Sequence, residues 1–326
     1  MFRRQQNVVT PATVQVPMEP LVPVDRFLGS ASAREFRAAL ADRRFDSLVG
    51  VLGSCSSIDE RVWAVQVAVD DPTLIDAIKG WCSAQPQSGL ATATWGASLV
   101  AQAWARRGGR RFADLQPGER ELFYELLRSA ERTLHHAAQL SPGSPLPWMG
   151  LLRSGRALQI SRHEQRLRYD QAMRRNAPGL DPHQQLLQGL CQKWGGSHDE
   201  MFAFARQVAA GSPAGSPLAT VLVLAHFERG VAGDPPLREY MAGVAGQIRA
   251  LGQQSVEHPA FADSVPDGAH ARNMMCLAYS LCGDHELSQR QRAALGGRLS
   301  AFPWDYLGDP EDVFRKSSPR TSPSAT

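Results

Sequence analysis

The chain has 326 residues, 43% hydrophobic and 7% aromatic, with 35 lysines and arginines against 32 aspartates and glutamates. Folding at this length buries roughly three quarters of the surface an unfolded chain exposes, so neither a disulfide nor a metal staple is required. Ordinary apolar content excludes collagen-like, coiled-coil and largely disordered classes, and a formal net charge of +3 offers little long-range attraction to a polyanion.

Residues 1–28 contain Pro and Val without helical spacing, and residues 315–326 have nothing to bury, so both read as disordered tails. No apolar run of signal-peptide length follows Arg3 and Arg4. The longest apolar stretch, 218–227, is about half of what a membrane span requires, so no membrane association and a cytoplasmic location are expected. Five cysteines (Cys55, Cys82, Cys191, Cys276, Cys282) without a CxxC pair read as reduced, core-filling thiols.

Between the tails, helix follows helix. Ser32 with Glu35 has capping-box spacing and opens a helix buried through Phe36 and Leu40. A short helix follows through Leu48, Val49 and Leu52. Ile58, Val62, Val65 and Val69 recur at helical spacing until Asp71-Pro72, which ends that helix and starts another with Leu74, Ile75, Ile78 and Trp81 on one side. Residues 90–107 make a helix carrying Trp95, Leu99 and Trp104 that stops at Gly108-Gly109. Residues 108–116 then read as a linker between an N-terminal helical region, 29–107, and a helical-repeat region, 117–314. The second region opens at Pro117, with Leu122, Leu126, Ala130, Leu134 and Ala138 at four-residue spacing. Further helices are expected over 148–160, 163–176, 182–194, 198–210, 218–228, 236–251, 269–282 and 285–300. Short Pro/Gly/Ser turns make successive helices antiparallel neighbours.

Three of these helices start alike, at His163-Glu164, His198-Asp199-Glu200 and His285-Glu286. The first two starts lie 35 residues apart, as do Pro178 and Pro213, close to the roughly 34-residue period of stacked helix-turn-helix repeats. On these features the chain resembles tetratricopeptide-repeat-like α-helical proteins. The block Lys193-Trp194-Gly195-Gly196-Ser197-His198-Asp199-Glu200-Met201, with Ala225-His226-Phe227-Glu228 and Phe302-Pro303-Trp304-Asp305-Tyr306, is similar more specifically to an uncharacterised actinobacterial group. A composition rich in Arg, Ala, Gly and Pro, whose only lysines are Lys79, Lys193 and Lys316, suits such a GC-rich genome. The resemblance implies an all-α fold of antiparallel hairpins stacked into a short, irregular tetratricopeptide-like α-solenoid, and it carries no activity with it. Met201 departs from the repeat consensus, which has a small alanine there.

The chain has no GxxxxGK[ST], no GxGxxG after a strand and no GxSxG elbow. His198 with Glu200 and His226 with Glu228 would supply a metal or acid/base pocket if their helices pack side by side. Residues i and i+2 point about 200° apart on a helix, however. The acidic first turn at 199–200 equally suits the positive end of the helix dipole, with His198 as cap. Trp194 is expected to anchor packing, with Trp148 and Trp304. Arg106, Arg107, Arg110 and Arg111 could grip phosphate from one loop, without interleaved aromatics. Arg162, Arg166, Arg168, Arg174 and Arg175 read as a solvated face, Asp70-Asp71 as helix punctuation, and Cys191 with His183 as short of a catalytic dyad.

The sequence therefore predicts an all-α, non-catalytic scaffold or regulatory protein without cofactor or metal, whose elongated surface binds a protein or peptide partner. One alternative is an enzyme or small-ligand or metal sensor built around His198 and His226. A second is nucleic-acid binding through the loop from Arg106 to Arg111.

Overall fold

A computed structural model describes residues 20–110, 112–175 and 179–318. Among them the chain is all-helical, and the only extended pairing is an isolated bridge between Val24 and Leu299. The first five α-helices are α1 (Ala31–Ala41), α2 (Leu48–Gly53), α3 (Ile58–Val69), α4 (Ile75–Ala84) and α5 (Gly89–Arg107). After residues 108–116 come α6 (Pro117–Leu140), α7 (Leu146–Leu158), α8 (Arg162–Met173), α9 (Leu180–Leu190), α10 (His198–Gly211) and α11 (Thr220–Val231). The chain closes with α12 (Leu237–Gly243), α13 (Ala245–Gln254), α14 (Asp267–Cys282), α15 (His285–Leu295) and α16 (Pro310–Lys316).

Each helix from α5 to α14 packs on its successor, and α5, α7, α9 and α11 also touch in series. These four form one layer, with α6, α8 and α10 behind it. One apolar cluster fills the N-terminal helices around Phe36, Leu40, Ile78 and Trp81, a second lies between α5, α6 and α7, and the largest runs from α7 to α16 through Leu187, Met201, Phe227 and Trp304. Each such large side chain contributes about 1.5 to 3 kcal/mol on burial. In the middle cluster Leu134 of α6 fills a notch made by two glycines: a Cβ on Gly96 of α5 or Gly150 of α7 would come within 2.7 or 2.8 Å of it.

Several expectations need correction. Helix α1 is capped by Ser30, whose Oγ accepts the Ala33 N–H at 3.0 Å and donates to Glu60 at 2.7 Å, so Ser32 is already inside the helix. The buried stripe of α6 is Phe123, Leu127, Ala130, Leu134 and Ala137 rather than the strict four-residue series. Alternating steps of four and three follow the helix, whereas a strict four drifts about 40° per step and leaves Leu122 exposed. The helix expected over 236–251 breaks at Val244, between Gly243 and Gly246, because glycines are poor helix formers. Helix α15 stops at Leu295 rather than 300, since Gly296 and Gly297 both take positive φ (56° and 87°).

The described part of the N-terminal tail is not loose. Leu28 is fully buried, Val22 and Val24 pack on the largest cluster, and the Asp25 and Val24 N–H groups donate to Leu299 O (2.8 Å) and Glu311 Oε1 (3.0 Å). Residues 315–318 likewise complete and cap α16, whose Phe314 stands edge-on to Trp304 at 5.0 Å. Asp309-Pro310-Glu311-Asp312, an N-cap with Pro at the first helical position, was the sequence signal for that helix. Residues 1–19 and 319–326, and with them most of both expected tails, lie outside the described residues, as does Pro178. Residues 112–115 pack down through Phe112 on Phe123 and through buried Leu115.

Candidate functional site

A cavity of about 580 Å³ opens between the end of α3, the following turn, α5 and α7. Its α5 wall presents Ala97, Ala101 and Ala105, small residues that leave the gap open. Val69, Ile75 and Val100 make its walls apolar, and Gln66, Asp70, Gln102, Arg106 and Arg153 supply polar groups. Asp70, the C-cap residue of α3, takes the Gln66 amide at 2.7 and 2.8 Å on its two oxygens. Surrounding protein pushes its carboxyl above the usual range, and Gln66 and Arg153 only partly oppose this. Asp71 turns the other way: despite burial, hydrogen bonds from Thr73 and Arg37 hold its carboxyl down at about 2. The pair is the punctuation the sequence suggested: Asp70 is the C-cap residue of α3, and Asp71 caps the next turn through the Thr73 N–H at 3.0 Å.

Gln66 and Arg153 also line a smaller neighbouring cavity of about 50 Å³, together with Asp59, Trp63, Asp181, Gln184, Asp267 and His270. Arg153 pairs with Asp181 at 2.8 Å. Asp267 accepts the Leu180 N–H at 2.8 Å, and burial, with Asp59 and Asp181 nearby, pushes its carboxyl up to about 7. His270 meets Trp63 edge-on at 5.0 Å, and burial pushes its imidazole down to about 4, so it is neutral at physiological pH. The same low-dielectric surroundings thus move an acid up and a base down on one face of α14. Among the described residues no Ser, Cys, Lys or Tyr lines either cavity.

Two of the residues singled out from sequence meet at the edge of this cleft. Trp194, in the turn after α9, stands edge-on to Trp104 with centroids 5.7 Å apart, and Trp104 is a wall of the larger cavity. Arg107 lies over both rings, at 5.2 Å from Trp104 and 5.0 Å from Trp194. Arg156 of α7 does the same from 5.1 and 5.5 Å. Arg106 lines the cleft, with a bond to Gln102 O at 3.3 Å. Arg110 is consumed locally: it forks onto Glu119 at 3.2 and 3.0 Å and donates to Arg106 O at 2.8 Å, fastening the end of α5 to the start of α6. Arg111 lies outside the described residues.

The histidine and glutamate candidates do not form one pocket. Ser197, not His198, caps α10 and accepts the Glu200 N–H at 3.2 Å, while the Glu200 carboxylate reaches Arg162 at 2.8 Å on the surface. His226 turns its Nδ1 to the Tyr240 hydroxyl at 2.9 Å and its edge to Phe202 at 5.0 Å, and burial pushes it down to about 4. Glu228, two residues on, faces another way and gathers Lys193 (2.7 Å), Gln188 (2.6 Å) and the Tyr306 hydroxyl (2.8 Å). The three segments behind the family resemblance therefore converge on a staple. Among the described residues no group of three or more His, Cys, Asp or Glu is placed to hold a metal. The matching cap of α8 is Ser161 with Glu164, so the two caps stand 36 residues apart and His163 and His198 occupy different helix positions.

Arg168 corrects the reading of a solvated face: it is 5% exposed and buried against Glu131. Cys191, pushed up to about 12 by burial, donates to Leu187 O at 3.4 Å, and His183 is engaged with Gly179 O at 2.8 Å. Gln66, Arg153, Asp181, Asp267 and His270 escaped the sequence reading because they come from four helices and share no local motif. The alanine ladder at 97, 101 and 105 was the one local signal that a helix face carries no bulk. Compared with protein-family models, curated proteins and solved structures, the chain matches none of them. No helix among the described residues is long and apolar enough to cross a membrane.

Proposed function

We propose that the chain is a non-catalytic, cytoplasmic interaction protein that holds a peptide segment of a partner protein in the cleft between α3, α5 and α7. The cleft carries this reading: about 580 Å³ of space with mostly apolar walls and a few convergent polar groups is the composition of a binding site. Its small-residue floor on α5 admits close approach of a backbone, and the Gln66 and Gln102 amides are suited to peptide groups. Serial contact of α5, α7, α9 and α11 supports stacking in the manner of tetratricopeptide hairpins, with α3 and α14 lying against part of that layer. The enzyme or sensor alternative has less support, because Glu200, His226 and Glu228 engage separate partners, Arg162, Tyr240 and Lys193.

Selection from a displayed random-peptide library tests the proposal, with Ala105→Trp as the counter-variant because Ala105 is an exposed residue of the cleft wall. Peptides that bind the parent chain and lose at least about tenfold in affinity to the filled cleft are expected. Peptides that bind both chains equally, or no enrichment at all, would contradict it.

A further inference from the structure

Many arginines of this chain with a described environment pair with a carboxylate; Arg107 and Arg156 are among those that show none. Among the described residues no protein acceptor meets the Arg107 guanidinium, and Arg156 uses one donor on a neutral acceptor, Gln185 Oε1 at 3.2 Å, with its Nε buried and unpartnered. A guanidinium offers five donors in a planar fork, and half-buried cations without a counter-charge are costly. Burial accordingly pushes Arg156 down to about 10 and lowers Arg107 as well. What holds them is stacking: each lies within 5.5 Å of both the Trp104 and Trp194 centroids. Stacking on a ring occupies the face of a guanidinium and leaves the edge, where its N–H donors point, for a planar oxyanion. Trp104 also presents a buried indole N–H without a partner.

We infer that Arg107 and Arg156, aligned by the Trp104–Trp194 pair, form an oxyanion site that receives one carboxylate of an acidic peptide seated in the neighbouring cleft. The oxyanion site is argued from its own geometry; the peptide as its source rests on the function proposed above. A single carboxylate fits better than a nucleic acid for two reasons. Arg110, which would extend the positive strip, is already neutralised by Glu119. Farther in, Arg153 is already paired with Asp181 at 2.8 Å, which leaves no free cation there among the described residues for a second phosphate. The peptide therefore carries its acid at the Trp104 end and uncharged or basic residues beyond it.

The test selects displayed peptides on the parent chain and on Arg107→Gln, whose substitution at the half-buried end of α5 leaves the core untouched. Parent-selected peptides are expected to share one Asp, Glu or free C-terminus and to bind Arg107→Gln about tenfold or more weakly, with Arg107→Lys in between because it keeps charge without the fork. Absence of an acidic position, or equal binding to Arg107→Gln, overturns the inference while leaving the cleft reading in place. Tighter binding of oligothymidylate than of any peptide also overturns it. If no peptide binds the cleft at all, the proposed function fails, and formate titration followed by tryptophan fluorescence judges the oxyanion site alone. A saturable change abolished in Arg107→Gln sustains the site, and no change removes it.

Discussion

Both terminal nitrogens of Arg168 sit on the Glu131 carboxylate, at 2.7 and 2.8 Å, in the space enclosed by α6, α7 and α8. Arg168 also reaches Glu164 at 2.9 Å and Leu151 O at 2.8 Å, and Ser154 donates to the same Glu131. Breaking one side of such a pair strands a buried charge. Glu131→Gln is expected to lose about 3 kcal/mol in chemical denaturation, and Glu131→Gln with Arg168→Met to recover part of that. A single variant as stable as the parent would show that the pair is not buried in solution.

Gly150 and Gly96 leave room for Leu134 and nothing more. Gly150→Ala should cost about 1 to 3 kcal/mol by overpacking. Its effect should shrink in a Leu134→Ala background, where the cavity accepts the added methyl. Additive losses in the double variant would contradict the notch.

Asp267 and the two buried histidines pull the pH dependence of stability in opposite directions. The folded chain keeps the Asp267 proton up to about 7, against an ordinary 3.8, so this group's contribution falls as pH rises across that interval. His226 and His270 are pushed from 6.5 to about 4, so the folded chain binds fewer of their protons and stability is lost on acidification through that window. Asp267→Asn keeps an oxygen for the Leu180 N–H and removes the opposing slope. Its stability relative to the parent should climb between pH 4 and 8, by on the order of 3 kcal/mol. A flat difference in urea denaturation across that range would refute the assignment.

Glu228 is buried, and the Lys193 ammonium is its counter-charge. Lys193→Met should destabilise by about 1 to 3 kcal/mol, and adding Glu228→Gln should restore much of it, as read from thermal melts. Equal losses in the single and double variants would mean that the staple contributes only through packing.

Helix order was legible as far as α15, with α12 and α13 read as one helix and α16 not expected, because the apolar spacing of α3, α4, α5 and α14 is set locally, as are stops such as Gly108 and the cap of Asp71. The breaks at Val244 and Gly296 could be seen in their glycines but not weighed, since packing decides whether a helix absorbs a glycine. The cleft was not legible: Asp70 and Asp267 line neighbouring cavities that share Gln66 and Arg153 only because α3, α7 and α14 come together across the fold. Trp194 and Arg107 were both marked from sequence for separate reasons, packing and phosphate binding, yet their contact at 5.0 Å depends on tertiary geometry. The four His and Glu candidates failed for a reason already in the helix itself, since His226 and Glu228 are two residues apart and face different neighbours.

The most direct test of peptide binding in the cleft is backbone hydrogen exchange of the parent chain with and without a library-selected peptide. Added protection concentrated at 97–106 of α5 and 150–153 of α7, and absent in Ala105→Trp, is the expected result. Protection elsewhere, or the same protection in the filled variant, would contradict it.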